Sequence, residues 1–172
     1  MFSNKLKDFF IKNNVKKRLS NVKHTASNEC VQTIGIIIDE RFLDERNGLM
    51  DAIKKFGFNT NQIEYLVFKE RIKKDETFDY PVYSYKDINW NATFLPSKVA
   101  DFCTKKFDLL ISYYTDEKTA LVLATHWSNA SFKVGFSEVD NRLHHFMIQE
   151  NPKLYSVFVE ELFKYLKILK KI

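Results

Sequence analysis

Residues 107–136, FDLLISYYTDEKTALVLATHWSNASFKVGF, decide the fold. The stretch opens with a near-continuous apolar run, 107–113, and closes with another, 132–136. Runs of this length without polar alternation suit strands buried on both faces, as in a parallel sheet covered by helices. Between them, 116–128 begins with Asp116 and Glu117, acids that favour the positive end of a helix dipole. Ala120, Leu123, Ala124 and Trp127 then recur at helical spacing and predict one apolar face. Strand, helix and strand with short joints make a βαβ unit, and such crossovers are right-handed.

The same alternation extends in both directions. TIGIIID at 33–39 predicts a first strand, and 43–56 a helix carrying Leu49, Ile53 and Phe56 inward, with Gly57 as a left-handed cap. IEYLVFK at 63–69 predicts a second strand. PVYSYKDI at 81–88 predicts a weaker one, placed near an edge by its proline. A short helix over 96–106 turns Val99, Phe102 and Cys103 inward. Beyond the central unit, 143–149 reads as a short edge strand. Asn151 and Pro152 then read as the cap and first turn of a helix over 153–170. Alternating elements predict an α/β fold: a three-layer, Rossmann-like sandwich with a mostly parallel sheet of about five strands, plus an N-terminal basic helix. The expected organisation is a helical arm over 1–23, a linker over 24–31 and one α/β domain over 32–172.

Charge is unevenly placed. Residues 1–23 hold Lys5, Lys7, Lys12, Lys16, Lys17, Arg18 and Lys23 against Asp8 alone, so the arm is +6 in a chain of net +5 and the remainder is −1. Within the arm, Phe2, Leu6 and Phe10 form one apolar ladder, and Ile11, Val15 and Leu19 another on a different side. The expectation is a helix that bends or packs on the body, presenting Lys5, Lys12, Lys16, Lys17 and Arg18 to a nucleic acid, a nucleoprotein or an anionic surface. The plainer alternative is a docked helix with its lysines in water. A membrane partner is the weaker expectation.

Chemistry-bearing motifs are few. Gly35 lies inside the first strand and no Gly-rich turn follows it, so a dinucleotide cradle is not expected, nor any cofactor. His24, His126, His144 and His145 lack metal-ligand spacing, and the adjacent pair points to opposite faces of a strand, so no metal site is expected. Cys30 and Cys103 form no disulfide framework. With no apolar run near the ~20 residues of a membrane span, the expected location is the cytoplasm. A ligand of such a sheet sits beyond the carboxyl ends of its strands, and that rim supplies Asp39, Tyr114, Asp116 and Glu138 as candidates. The aromatic cluster of Tyr80, Tyr83, Tyr85, Trp90 and Phe94 is expected to be packing rather than a base-stacking platform.

Four segments carry a resemblance: TIGIIID, the Asn89-Trp90 pair, FDLLISYY and FKVGF. Through them the chain, from about residue 33 onward, resembles an uncharacterised Bacteroidota family, a domain of unknown function, which implies no activity. Within 107–136 there is a narrower similarity to the N-terminal, acceptor-side half of heptosyltransferase-like glycosyltransferases. That similarity implies a lone half without a donor domain, in which ordinary glycosyl transfer is not expected. The leading expectation is a non-catalytic binding module for a protein or nucleoprotein. The competing one is a small enzyme acting on a nucleotide or sugar at the rim.

Overall fold

The computed structural model describes residues 9, 11–15, 17 and 29–172. A six-stranded, wholly parallel sheet forms its centre, in the order β3-β2-β1-β4-β5-β6. β1 (Ile34–Asp39) lies between β2 (Ile63–Phe68) and β4 (Leu109–Tyr113), in register from Ile34 opposite Ile63 and Leu109. β5 (Phe132–Phe136) continues outward from β4. Sequence reading placed these four strands within two residues of their ends, because each is a run of apolar side chains closed by polar ones.

The edges are where it fell short. The strand expected over 81–88 is only β3 (Val82–Tyr83), after which Ser84 caps a 3-10 turn over Tyr85–Asp87. At the other edge β6 (Phe146–Ile148) lies within the short edge strand expected over 143–149; it pairs parallel with β5 and brings the sheet to six strands where about five were expected. Its crossover, residues 137–145, holds one 3-10 turn instead of a helix. Nothing in its spacing announces a parallel connection.

Helices cover both faces. On one lie α1 (Arg46–Lys54) and α4 (Tyr155–Ile168), which pack against each other. On the other lie α2 (Lys98–Thr104), α3 (Thr119–Trp127) and helical residues 11–15. Strand alternation divides the core accordingly. Ile36, Ile38, Ile111, Tyr113, Val134 and Phe136 join the α1/α4 cluster, while Ile37, Leu66, Leu110 and Tyr114 join the α2/α3 cluster.

Two glycines permit close approach. A Cβ on Gly48 of α1 would lie 2.3 Å from the Tyr155 ring of α4, and one on Gly135 would lie 2.5 Å from the His144 imidazole. Gly57 takes the expected left-handed conformation after α1, at φ 96°.

Three helix starts differ from expectation. α1 begins at Arg46, because Asp39 caps a separate 3-10 turn over Glu40–Phe42. α3 begins at Thr119, leaving Asp116 and Glu117 outside it. α4 begins at Tyr155; Asn151 instead accepts from the Lys153 backbone N–H (3.0 Å) in a local turn. In α3 and α4 the polar side chains read as helix starts bond elsewhere.

In the arm, Ile11 and Val15 are buried in the α2/α3 cluster while Lys12 and Lys17 are exposed. That stripe therefore packs on the body. Lys5, Lys16 and Arg18, the Phe2/Leu6/Phe10 ladder and most of the 24–31 linker lie outside the described residues.

Candidate functional site

The strand order reverses direction between β1 and β4, and an open α/β sheet presents its ligand crevice there, beyond the carboxyl ends. β1 delivers Asp39 to that point. β4 delivers Tyr113 and Tyr114, and the turn after it delivers Asp116 and Lys118. Asp39 is fully buried. Its Oδ1 accepts from the Arg41 backbone N–H (3.1 Å) and Lys118 Nζ (3.3 Å), and its Oδ2 from Arg41 Nε (3.1 Å) and Nη2 (3.0 Å). Arg41 reaches on to Asp116 at 2.7 Å. One guanidinium thus joins two of the four predicted residues.

The network spreads along the rim. Lys69 pairs with Glu40 (3.3 Å) and Glu76 (3.2 Å), and Glu40 accepts from the Glu70 backbone N–H (2.9 Å). Hydrogen bonds that Lys69 donates to Glu76 and Glu40 hold its pKa above the ordinary value. Partial burial pulls the Arg41 pKa down, but the bonds and charges of Asp39 and Asp116 outweigh it and the net shift is upward. Both cations therefore hold their protons more tightly than free side chains do.

The other two predicted residues are elsewhere. Tyr114 points away from the rim, fully buried beneath α3, with its hydroxyl 2.8 Å from Thr125 Oγ1. Glu138 is exposed past β5, accepting from Ser137 Oγ at 3.3 Å. Neighbouring Tyr113 donates its hydroxyl to the Pro152 carbonyl. Burial raises the pKa of both tyrosines, so neither phenol ionises near neutrality.

A general base must be within reach of a substrate proton with a lone pair to receive it. At this rim the buried carboxylate is saturated by four donors, and its cations are bound to carboxylates. The arrangement fixes the loops after β1, β2 and β4 to one another. Two polar atoms differ: Thr119 Oγ1, at the first turn of α3, and Glu45 Oε2, in the loop after β1, are buried and make no hydrogen bond. Among the described residues no cluster of three or more His, Cys, Asp or Glu is placed to hold a metal ion. No helix among them is long and apolar enough to cross a membrane.

With this geometry in view, comparison with known proteins gives one match, spanning residues 7–169, to DUF6913, a family of unknown function. The chain belongs to that family. No curated protein and no solved structure matches it.

The buried polar groups that sequence reading missed lie under α3. Lys133, inside the β5 run FKVGF, donates Nζ to the Thr125 (2.7 Å) and His126 (3.3 Å) carbonyls at the C-terminal end of α3. Burial lowers its pKa to about 8. Tyr83 donates to the Ala120 carbonyl (3.1 Å), and Ser112 lies 3.1 Å from Thr125 Oγ1. Cys103 Sγ approaches the Ala124 carbonyl at 3.6 Å, its thiol pushed up by burial to about 12. A lysine in the middle of a buried strand was the available signal, since an unpartnered charge there is costly.

The aromatic residues mostly pack inward. The Phe68 ring meets Tyr83 and Tyr85, each at 5.3 Å, and Tyr83 meets Phe94 at 6.2 Å. Trp90 stays 52% exposed on a turn closed by Asn89 N–H to the Thr93 carbonyl (2.7 Å).

Proposed function

We propose that this chain is a non-catalytic binding module whose docked N-terminal segment and projecting Trp90 meet a protein or nucleoprotein partner. The observation that carries the reading is the occupied rim: Asp39, the one predicted site residue fully buried at the strand reversal, is consumed by Arg41 and Lys118. Burial of Ile11 and Val15 seats the segment on which Lys12 and Lys17 are exposed, and exposed cations are what a phosphate-rich or acidic surface meets. Tryptophan is the residue type most enriched among binding hot spots.

Removing residues 1–23 would also remove Ile11 and Val15 from the core, so charge reversal is the cleaner test. Lys12→Glu/Lys17→Glu and the unaltered chain are compared for binding of a fluorescent single-stranded RNA by anisotropy, at low and high salt. The expected result is binding by the unaltered chain that weakens with salt and falls at least fivefold in the variant. Equal binding by both removes the arm from the interface. No binding by either removes nucleic acid and leaves an acidic protein surface as the partner. The competing reading, an enzyme for a nucleotide or sugar, has the Thr119 hydroxyl in its favour. It predicts that a nucleotide or sugar raises the melting temperature and that Thr119→Val abolishes the rise.

A further inference from the structure

α4 is apolar around far more of its circumference than its own core requires. Phe158, Val159, Leu162, Phe163 and Leu166 are buried and satisfy the sheet and α1. A second stripe, Leu154, Val157, Tyr165 and Ile168, follows at three-, eight- and three-residue steps and is 37–64% exposed. At 3.6 residues per turn the two stripes together cover roughly two-thirds of the helix, whereas an arc of about 100° suffices to seat a surface helix. Contacts fix the direction of the second stripe. Phe163 stacks on Phe56, just beyond α1, at 4.1 Å, while Tyr165 meets Phe146 of edge strand β6 at 4.6 Å. The exposed stripe therefore lies on the side away from α1, beside the sheet edge.

We propose that this stripe is the contact face for a second copy of the same chain, the two α4 helices packing antiparallel about a two-fold axis. Charge selects both the occupant and the orientation. The position between Val157 and Tyr165 is Glu161, and one turn on stands Lys164, which pairs with it within the chain at 3.2 Å. Acids, Glu160 and Glu161, occupy the first half of the helix, and bases, Lys164 and Lys167, the second. An antiparallel copy sets each half against its opposite: Glu161 faces the second copy's Lys164, and Val157 faces its Ile168. A two-fold contact is self-complementary in this way, each residue meeting its counterpart's partner twice. A parallel arrangement would set acid against acid and base against base.

The test uses the whole chain in sedimentation-velocity runs over a concentration series. The unaltered chain is expected to reach twice its 20.4 kDa mass as concentration rises, and Val157→Glu/Ile168→Glu to stay monomeric with an unchanged circular dichroism spectrum. Charge reversal then reads the orientation. Glu161→Lys and Lys164→Glu should each self-associate at least tenfold more weakly, since each sets like charges across the axis. An equal mixture of the two should associate again, because both cross-pairs are then opposite in sign. Three outcomes overturn the proposal: a chain that stays monomeric throughout, which leaves the stripe to a different partner; a dimer indifferent to Val157→Glu/Ile168→Glu; or a mixture no tighter than its components.

Discussion

The two faces of one sheet are built on different principles. Beneath α1 and α4 the strands present Ile34, Ile36, Ile38, Leu109, Ile111, Phe132, Val134 and Phe136, and also Tyr113, whose hydroxyl bonds the Pro152 carbonyl rather than either helix. Beneath α3 the same strands present Ile37 and Leu110 but also Ser112, Tyr114 and Lys133, and these polar side chains reach side-chain or main-chain oxygens of α3. Hydrophobic contact is non-directional and roughly proportional to area, so it holds a helix down without fixing where along its axis it sits. Hydrogen bonds have narrow distance and angle requirements. The polar face therefore sets the axial position of α3, and with it the turn at the strand reversal where Lys118 meets Asp39. One face supplies adhesion and the other alignment.

Breaking each face should expose that division. The largest effect is expected on the apolar side. Phe158 is fully buried between the rings of Phe136 (4.7 Å) and Tyr113 (5.4 Å). Phe158→Ala should lower stability by about 3–5 kcal/mol in urea denaturation. A loss below about 1 kcal/mol would mean that α4 is not what covers this face. On the polar side, Tyr114→Phe deletes a hydroxyl whose partner Thr125 keeps Ser112, so a loss of about 1.5 kcal/mol is expected, near the top of the range for one hydrogen bond. The difference between these two values is the comparison in numbers, and equal losses would erase it.

The smallest effect is the most specific. Folding lowers the Lys133 pKa from 10.5 to about 8, so the folded protein binds fewer protons than the unfolded chain between those values. The penalty is fully present below pH 8 and is relieved as pH rises. From pH 8 to 9 stability should climb by about 1 kcal/mol. Above pH 9 the Cys103 thiol, held protonated to about 12, acts with the opposite sign and flattens the curve. Lys133→Met should remove the climb between pH 8 and 9. A climb that survives the substitution belongs to another group.

This division also marks what could be read from sequence. Apolar runs define strands through periodicity alone, so β1, β2, β4 and β5 were legible from TIGIIID, IEYLVFK, FDLLISYY and FKVGF. The arm stripe through Ile11 and Val15 was legible for the same reason. Polar side chains were misplaced because their partners are distant in sequence. Asp116 looked like the start of α3, yet it serves Arg41, and Glu117 serves the Asp140 backbone N–H at 2.8 Å. Tyr114 looked like a rim residue because it ends an apolar run, yet alternation along β4 turns it under α3. Lys133 was passed over inside FKVGF because its acceptors, the Thr125 and His126 carbonyls, are main-chain atoms without a sequence signature. Of the candidate rim, the arrival of Asp39 and Asp116 at the carboxyl ends of β1 and β4 was legible; the strand reversal between them and the bonds from Arg41 and Lys118 were not.

The order of elements along the chain has a consequence for synthesis. α3 is made before β5, so the aligned face is closed while the sheet is still growing outward. The adhesive face waits for α4, which follows every strand. Until residues 155–168 leave the ribosome, α1 alone shields that face, and Val134, Phe136 and Tyr113 stand open to water or to a chaperone. A nascent chain stalled before Tyr155 therefore carries all six strands without the helix that covers this face.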